Sequence, residues 1–153
     1  MRRKDREVKD INCVFSILEK AQVMRLALAE KYIIPLCYGY EKNGDCFTLY
    51  FHSGAKGRKN EILEKDNTVG FEIEGRFELI HSDIACRYSY QYESLVGLGK
   101  VIKLDGDDKV RAMNLIMNHI GGEKDWEYIA PIFNITDVFM IEVKEFECKS
   151  NCK

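Results

Sequence analysis

The sequence predicts a mainly β protein, in which six or seven antiparallel strands form a closed or nearly closed barrel with a few short helices around it. Three observations lead to this fold class. Apolar residues alternate with polar ones in several segments, which is the period of a half-buried strand. The pair Asn43-Gly44 joins two of these segments and favours a tight hairpin turn. Only three short segments have the spacing of an amphipathic helix, so the helices are expected to lie around the outside of the strands.

The size and composition of the chain suit one folded domain. It has 153 residues, of which 46% are apolar and 31% charged, with only two prolines. A chain of this length buries roughly two thirds of its unfolded surface, which is enough for one core. We therefore expect a single domain over 1–153, with its core at about 24–146.

Charge and cysteine usage limit the expected partners and location. The net charge of −2 gives no excess of Lys and Arg for a phosphate backbone, so nucleic acid is not expected as a partner. The six cysteines are scattered, and no long apolar segment lies before or among them. This pattern predicts a cytoplasmic protein with reduced thiols and no membrane segment.

The first half of the chain predicts one helix and three strands. Apolar residues recur at helical spacing over 8–21, and the period changes to two over 24–29, where a strand begins. A second strand is predicted over 32–40. Pro35 within it has no N–H to donate, and so indicates an edge, a bulge or a gap between strands. A third strand, over 46–52, follows the Asn-Gly turn.

The second half predicts two more helices among longer strands. A helix over 58–65 leads into a strand over 69–75, with which 76–81 pairs back. A long strand follows over 88–104, in which Gly97 and Gly99 permit sharp coiling or close approach by another backbone or a ligand. The last elements are a helix over 109–120 and a strand over 138–146, and 126–133 stays ambiguous between helix and strand.

The segment between the third strand and the second helix, residues 52–59, is the most suggestive of chemistry. It combines a strand end, a glycine-containing turn and a helix start. Backbone N–H groups at a helix start need acceptors and attract anions. Arg58 and Lys59 add positive charge and Ser53 a neutral donor, so a phosphate monoester is the natural ligand. An equally good interpretation is a solvated first helical turn, with His52 as a strand-end hydrogen bonder.

Four segments carry a resemblance to a known family. They are Arg25-Leu26-Ala27-Leu28, Pro35-Leu36-Cys37-Tyr38-Gly39-Tyr40, Leu49-Tyr50-Phe51-His52-Ser53 with Gly57-Arg58-Lys59, and Tyr92-Glu93-Ser94-Leu95-Val96-Gly97-Leu98-Gly99-Lys100-Val101. In this order they resemble the pyridoxamine 5'-phosphate oxidase-like flavoproteins, and most of all the branch that includes nitroimidazole-resistance proteins. The resemblance implies an FMN-binding split barrel that forms a homodimer, with two flavins in grooves between the subunits.

The resemblance also implies which residues bind the cofactor. His52, Ser53, Arg58 and Lys59 correspond to the loop that holds the phosphate and ribityl end of FMN. A second group corresponds to strand residues along the flavin ring: Arg25, Leu26, Pro35 and Leu36. Ser94 corresponds to a position near the subunit interface.

The implied activity is that of an FMN-dependent oxidoreductase. Electrons would pass from a reduced nicotinamide cofactor, NADH or NADPH, to a small aromatic acceptor such as a nitroaromatic or a quinone. The sequence ends without the Trp-Arg-Leu type segment of true pyridoxamine-phosphate oxidases, which speaks against oxidation of vitamin B6. His52 is the one candidate for an acid catalyst near the substrate.

Two alternatives stay open at the level of sequence. The chain could be a non-catalytic flavin- or haem-binding protein, with His52, His81 or His119 as the iron ligand. Cys148 and Cys152 lack the paired spacing of a zinc site, so no metal is expected. Tyrosines alternate over 88–92, which is typical of a core or dimer interface more than of a stacking platform. Trp126 is expected to pack in the core, although it could close over a neighbouring flavin.

Overall fold

The computed structural model describes residues 4–151, which contain eight strands and four α-helices. The strands are β1 (Glu7–Val8), β2 (Val23–Leu28), β3 (Tyr32–Cys37), β4 (Gly39–Asn43), β5 (Cys46–Gly54), β6 (Thr68–Ile80), β7 (Ser89–Leu104) and β8 (Thr136–Ser150). The helices are α1 (Ile11–Lys20), α2 (Arg58–Lys65), α3 (Gly106–Gly121) and α4 (Ala130–Asn134).

The strands form one antiparallel sheet in the order β3-β2-β6-β7-β8-β5-β4, and β1 pairs with β8. Strand β3 also approaches β5, so the sheet curls back toward closure without a hydrogen-bonded seam between its edge strands β3 and β4. This is a split barrel, and the predicted fold class is confirmed. The strand count is slightly higher than predicted because the two-residue β1 adds a short eighth strand.

The barrel interior holds the main core. Strands β2, β5, β6, β7 and β8 each place apolar side chains there, and α1 and α2 pack against the same core. Its fully buried members include Leu18, Leu26, Leu49, Phe51, Ile73, Leu95 and Ile141. Helix α3 covers the outside of β5 and β8 with a second, smaller cluster around Ile116.

Gly97 lets β6, β7 and β8 pack closely. A Cβ at this position would lie 2.4 Å from Cζ of Phe71 and 2.5 Å from the carbonyl oxygen of Glu145. The glycine expected to permit close approach within the long strand is therefore required by its neighbours on both sides.

The structure corrects two of the predicted elements. The strand expected over 32–40 is divided at Tyr38, whose buried hydroxyl donates to the carbonyl oxygen of Leu18 at 2.9 Å. The segment 76–81 does not pair back on 69–75. It continues β6 past a bulge between Glu74 and Phe77, and pairs with β7 instead.

The outward side chains of β2, β3, β6 and β7 form a surface that we call the open face. Val23, Ile33, Val96 and Leu98 lie exposed on it. In residues 4–151, no helix is long and apolar enough to cross a membrane.

Candidate functional site

The β5–α2 loop is fixed at both of its ends. Where β5 ends, Ser53 lies opposite Asp137 of β8 in the antiparallel register. One residue beyond the strand, the N–H of Ala55 donates to the carbonyl oxygen of Ile135 at 3.0 Å. Gly57, with φ at 130°, precedes α2 at its N-cap position, and its carbonyl oxygen accepts hydrogen bonds from the N–H groups of Asn60 and Glu61. Few other residues adopt that φ, so the glycine is needed to turn the chain into the helix.

His52 carries an unsatisfied nitrogen, and the charge of the half-buried Lys59 acts on its imidazole. Nδ1 of His52 is buried and has no hydrogen-bond partner. Burial lowers the pKa of His52, and the charge of Lys59 lowers it further. Burial also lowers the pKa of Lys59, whereas Asp137 acts in the opposite direction. An anion between these two side chains would pair with the ammonium group and satisfy the imidazole.

The surroundings of Lys59 leave its ammonium group available. Its Nζ lies 6.0 Å from the ring centroid of Phe51, and it forms no ion pair within the described residues. Asp137 acts on Lys59 through its charge alone and forms no direct ion pair with it, so the half-buried ammonium group can take an anionic ligand as its direct partner.

Arg58 points toward the β2–β3 turn. Its guanidinium carbon lies 4.6 Å from the ring centroid of Tyr32, and its Nη2 lies 3.5 Å from a carboxylate oxygen of Glu30. Arg58 is more exposed than Lys59 and already has an acidic partner. Lys59 is therefore the inner cation of the loop and Arg58 the outer one.

Ser53 lies at the mouth of the same loop. Its hydroxyl donates to the carbonyl oxygen of Gly54 at 2.9 Å, a local contact that a rotation of the side chain could exchange for a ligand. A Cβ at Gly54 or Gly57 would meet no atom within 4 Å. The space beside the loop is therefore open.

Arg25 and Pro35 lie opposite each other on the open face. Nη1 of Arg25 lies 3.0 Å from Glu72 and 3.1 Å from Glu74. Ser94 lies opposite Glu74 in the pairing of β6 with β7, so it belongs to the same surface. Of the residues predicted along a flavin ring, Arg25 and Pro35 thus share a surface with Ser94.

Leu26 and Leu36 differ from their neighbours. Leu26 is fully buried in the main core, and Leu36 packs against it. Because side chains alternate along a strand, both point away from the open face. A contact between either residue and a ligand on that face would have to use the backbone.

Asp137, Lys103 and Asn60 form a polar network that supports the loop and that the sequence did not predict. Asp137 is 8% exposed, and its carboxylate lies 2.9 Å from Nζ of Lys103. Nδ2 of Asn60 lies 3.3 Å from the same carboxylate and 3.2 Å from the carbonyl oxygen of Gly54. The only signal in the sequence was an aspartate just before a predicted strand.

The other histidines lie apart from the loop. Nε2 of His119 lies 2.7 Å from the carbonyl oxygen of Ala21. Nδ1 of His81 lies 3.5 Å from the hydroxyl of Tyr88. The structure thus brings His52 together with Lys59, and neither of the other two histidines joins them.

The remaining sequence candidates lie in other surroundings. The ring of Trp126 packs against Gly121, and its Nε1 donates to Asn118 at 2.7 Å. Burial raises the pKa of Cys148 to about 11, and Cys152 lies outside the described residues. Within 4–151, no three His, Cys, Asp or Glu side chains come close enough to hold a metal ion.

Comparison with known proteins gives a family. A family model described as pyridoxamine 5'-phosphate oxidase matches residues 11–150. The chain belongs to this family. The recognition made from the four sequence segments is confirmed, and the loop and the open face are therefore parts of a pyridoxamine 5'-phosphate oxidase-like split barrel. No protein with a curated description matches the sequence.

Solved structures share the fold over nearly the whole chain. A protein from Bacteroides thetaiotaomicron, proposed to act in 5-nitroimidazole antibiotic resistance, is 28% identical with a TM-score of 0.79, covering 94% of this chain and 85% of its own. A flavocytochrome from Azotobacter vinelandii is 17% identical with a TM-score of 0.81, over 100% and 72%. An FAD- and haem-binding protein from Mycobacterium smegmatis is 12% identical with a TM-score of 0.79, over 96% and 74%. The last two likenesses show the fold alone.

Proposed function

We propose that this protein is an FMN-dependent oxidoreductase that takes electrons from NADH or NADPH and passes them to a small aromatic acceptor, such as a nitroaromatic or a quinone. One observation carries the proposal. His52 has a buried Nδ1 without a hydrogen-bond partner, and its imidazole is under the influence of the charge of Lys59, a half-buried side chain at the start of α2. An ester phosphate fits this arrangement because it would be a direct anionic partner for Lys59 and a hydrogen-bond acceptor for the imidazole of His52.

The donor set suits a phosphate monoester in number and in type. Lys59 would supply a charged donor, and His52 and Ser53 would supply neutral ones. At the start of α2, the N–H groups ahead of Asn60 and Glu61, which donate to Gly57, have no acceptor within their own helix. The space beside Gly54 and Gly57 is open, so a phosphate can approach the backbone. Arg58 is already paired with Glu30 and would contribute at the outer rim.

The open face suits the ring end of the same ligand. Arg25 stands three residues before the end of β2, so about 10 Å of strand separates it from the turn that Arg58 contacts. An elongated ligand can therefore reach from the loop to Arg25, Pro35 and Ser94. Pro35 presents no N–H to this surface, so a ring lying on it would leave no donor unsatisfied there.

The chemistry of the reaction would come from the bound flavin, which accepts a hydride and releases electrons singly or in pairs. The chain's own residues would bind the flavin, orient it and adjust its redox properties. Arg25, which is held between Glu72 and Glu74, would present a guanidinium donor to the ring. His52, which is neutral near pH 7 because its pKa is lowered, donates a hydrogen bond without adding charge.

Family membership and the fold neighbours support this proposal. Flavin-binding proteins occur among the structures of the same fold, and one neighbour at 28% identity is proposed to act on resistance to a nitroaromatic drug class. We further propose that the protein works in the cytoplasm as a homodimer, with one FMN in each groove between the subunits.

An absorbance spectrum followed by reduction tests the function. The purified protein, supplied with FMN and freed of excess, should show the bands of oxidised flavin, and these should bleach when NADH or NADPH is added without oxygen. Addition of a nitroaromatic or a quinone should restore them. Flavin that stays oxidised would make the protein a carrier, and a Soret band after incubation with haem in place of flavin binding would contradict the FMN assignment.

A further inference from the structure

Asp137 brings a nearly buried negative charge to the back of the β5–α2 loop. It stands opposite Ser53 in the pairing of β5 with β8, and only 8% of it is exposed. Its charge acts to raise the pKa of Lys59, so the carboxylate attracts the ammonium group. An anionic ligand of Lys59 would therefore compete with a carboxylate that belongs to the protein itself.

Both oxygens of this carboxylate already have other partners. Oδ1 lies 2.9 Å from Nζ of Lys103, and Oδ2 accepts a hydrogen bond from Nδ2 of Asn60 at 3.3 Å. A buried carboxylate needs such partners for its oxygens. Because Lys103 and Asn60 provide them, Asp137 is satisfied without an ion pair to Lys59.

Asn60 connects the carboxylate to the backbone that carries Lys59. It follows Lys59 directly in the first turn of α2. Its Nδ2 also donates to the carbonyl oxygen of Gly54 at 3.2 Å, and its backbone N–H donates to that of Gly57 at 3.0 Å. The start of the helix is thus tied to both sides of the loop, and Asp137 is held by the residue next to Lys59.

Lys103 compensates the charge of Asp137 from a different strand. It is half exposed and lies near the end of β7. The hydrogen bond to Asp137 raises the pKa of Lys103, and the carboxylates of Asp105 and Glu64 act in the same direction. Lys103 therefore stays charged at neutral pH, and the pair that it forms with Asp137 is neutral as a whole. The repulsion between Asp137 and a phosphate near Lys59 is reduced accordingly.

We propose that Lys103 and Asn60 keep the carboxylate of Asp137 from pairing with Lys59, and so reserve the ammonium group of Lys59 for the phosphate of the flavin. The inference rests on the proposed function, because it takes a phosphate as the ligand of Lys59. Lys103 is then a positioning residue, which acts on the ligand through Asp137 and Lys59.

The loop offers Asp137 no better partner if Lys103 is lost. A nearly buried carboxylate without a compensating cation is strongly unfavourable. Arg58 is already paired with Glu30 and points toward the β2–β3 turn. Lys59 is half buried and forms no ion pair of its own within the described residues. Without Lys103, the carboxylate and the phosphate would therefore compete for Lys59.

The affinities for FMN and riboflavin test this competition. In Lys103→Met the dissociation constant of FMN, measured by calorimetry, should rise at least about tenfold, whereas that of riboflavin, which has no phosphate, should stay the same. Lys144→Met is the matched control, because Lys144 is also a half-exposed lysine in an ion pair, with Glu142 at 2.6 Å. Equal FMN affinities of the two folded variants would overturn the inference.

A double variant separates the charge effect from a structural one. In Lys103→Met with Asp137→Asn, the asparagine can still accept from Asn60, and no unpaired charge is buried, so this variant should fold even if Lys103→Met does not. Its FMN affinity should lie within about threefold of that of the wild type. A double variant that binds FMN at least about tenfold more weakly than the wild type would overturn the inference, because Lys103 would then act without Asp137.

Titration of Lys59 by NMR in the ligand-free protein gives a readout that needs no flavin. The pKa of Lys59 should rise by at least about one pH unit in Lys103→Met, because Asp137 then pairs with it, and the rise should vanish in the double variant. His52, whose pKa is lowered, is neutral throughout this titration. The same pKa of Lys59 in both variants would overturn the inference. If the wild type binds no flavin, the proposed function fails, and the titration still decides whether Lys103 keeps Asp137 from Lys59.

Discussion

Replacement of Lys59 by methionine separates ligand binding from folding. The substitution Lys59→Met keeps an unbranched apolar stem near the ring of Phe51 and removes the charge. If the ammonium group donates to a phosphate, its loss removes a charge-assisted hydrogen bond of about 1.5–3 kcal/mol. This corresponds to FMN binding that is about 10- to 150-fold weaker. Isothermal titration calorimetry on the ligand-free protein measures the change.

The same substitution should leave the ligand-free protein at least as stable as the wild type. Burial lowers the pKa of Lys59, so at neutral pH the folded state holds this cation less favourably than the unfolded state does. Removal of the cation removes that cost, and the midpoint of urea unfolding should stay constant or rise. Lys109→Met is the control, because Lys109 donates to the carbonyl oxygen of Phe133 on another part of the surface. Equal FMN affinities for the two variants, or a loss of affinity that follows a loss of stability, would refute the reasoning.

Three further predictions follow from particular contacts. Asp137→Ala should lower the free energy of unfolding by about 1–2 kcal/mol in urea titrations, because it removes the partner of Lys103 and Asn60. An unchanged unfolding midpoint would show that the network does not hold the loop. The pKa of His52 is lowered by burial and by Lys59, so its contribution to stability is present above the ordinary histidine pKa of about 6.5 and is lost as the pH falls below it. His52→Asn should flatten the stability profile just below the ordinary histidine pKa of about 6.5, and identical profiles would contradict the assignment. Gly97→Ala should destabilise by about 2 kcal/mol or more because of the contacts with Phe71 and Glu145, whereas Gly54→Ala, into open space, should stay within about 0.5 kcal/mol.

Local sequence patterns predicted three elements with accurate boundaries. Strand β2, the turn after Asn43 and helix α2 follow the predicted limits to within one residue at either end. In each, the side-chain period or the turn residue acts over a few neighbouring positions, so no distant contact was needed to recognise it.

The elements that were predicted wrongly depend on contacts between residues that are far apart in the sequence. Tyr38 interrupts a strand because its hydroxyl reaches Leu18 in α1, twenty residues earlier. Gly75 looked like the end of a strand, but a Cβ there would meet Glu93 at 3.0 Å and Ile17 at 3.2 Å, so it allows close packing within a bulge. Neither partner could be inferred from a single sequence.

The candidate site, too, has one part that was predicted from local sequence and another part that depends on distant residues and was missed. The loop with His52 and Lys59 was visible as a motif because its donors follow one another along the chain. Asp137 was missed because it reaches Asn60 from a strand that is 77 positions away in sequence. The long pairing of β6 with β7 over 77–92 was missed because 76–81 was predicted to pair back with 69–75.

The preference for FMN over riboflavin tests the central claim most directly, since the two ligands share the ring and the ribityl chain and differ only in the phosphate. Calorimetric titration of the wild type should give FMN an affinity at least about a hundredfold higher, as expected when two or more charge-assisted hydrogen bonds reach the phosphate. In Lys59→Met this preference should fall at least about tenfold. Equal binding of FMN and riboflavin by the wild type would contradict the account, because the β5–α2 loop would then hold no phosphate.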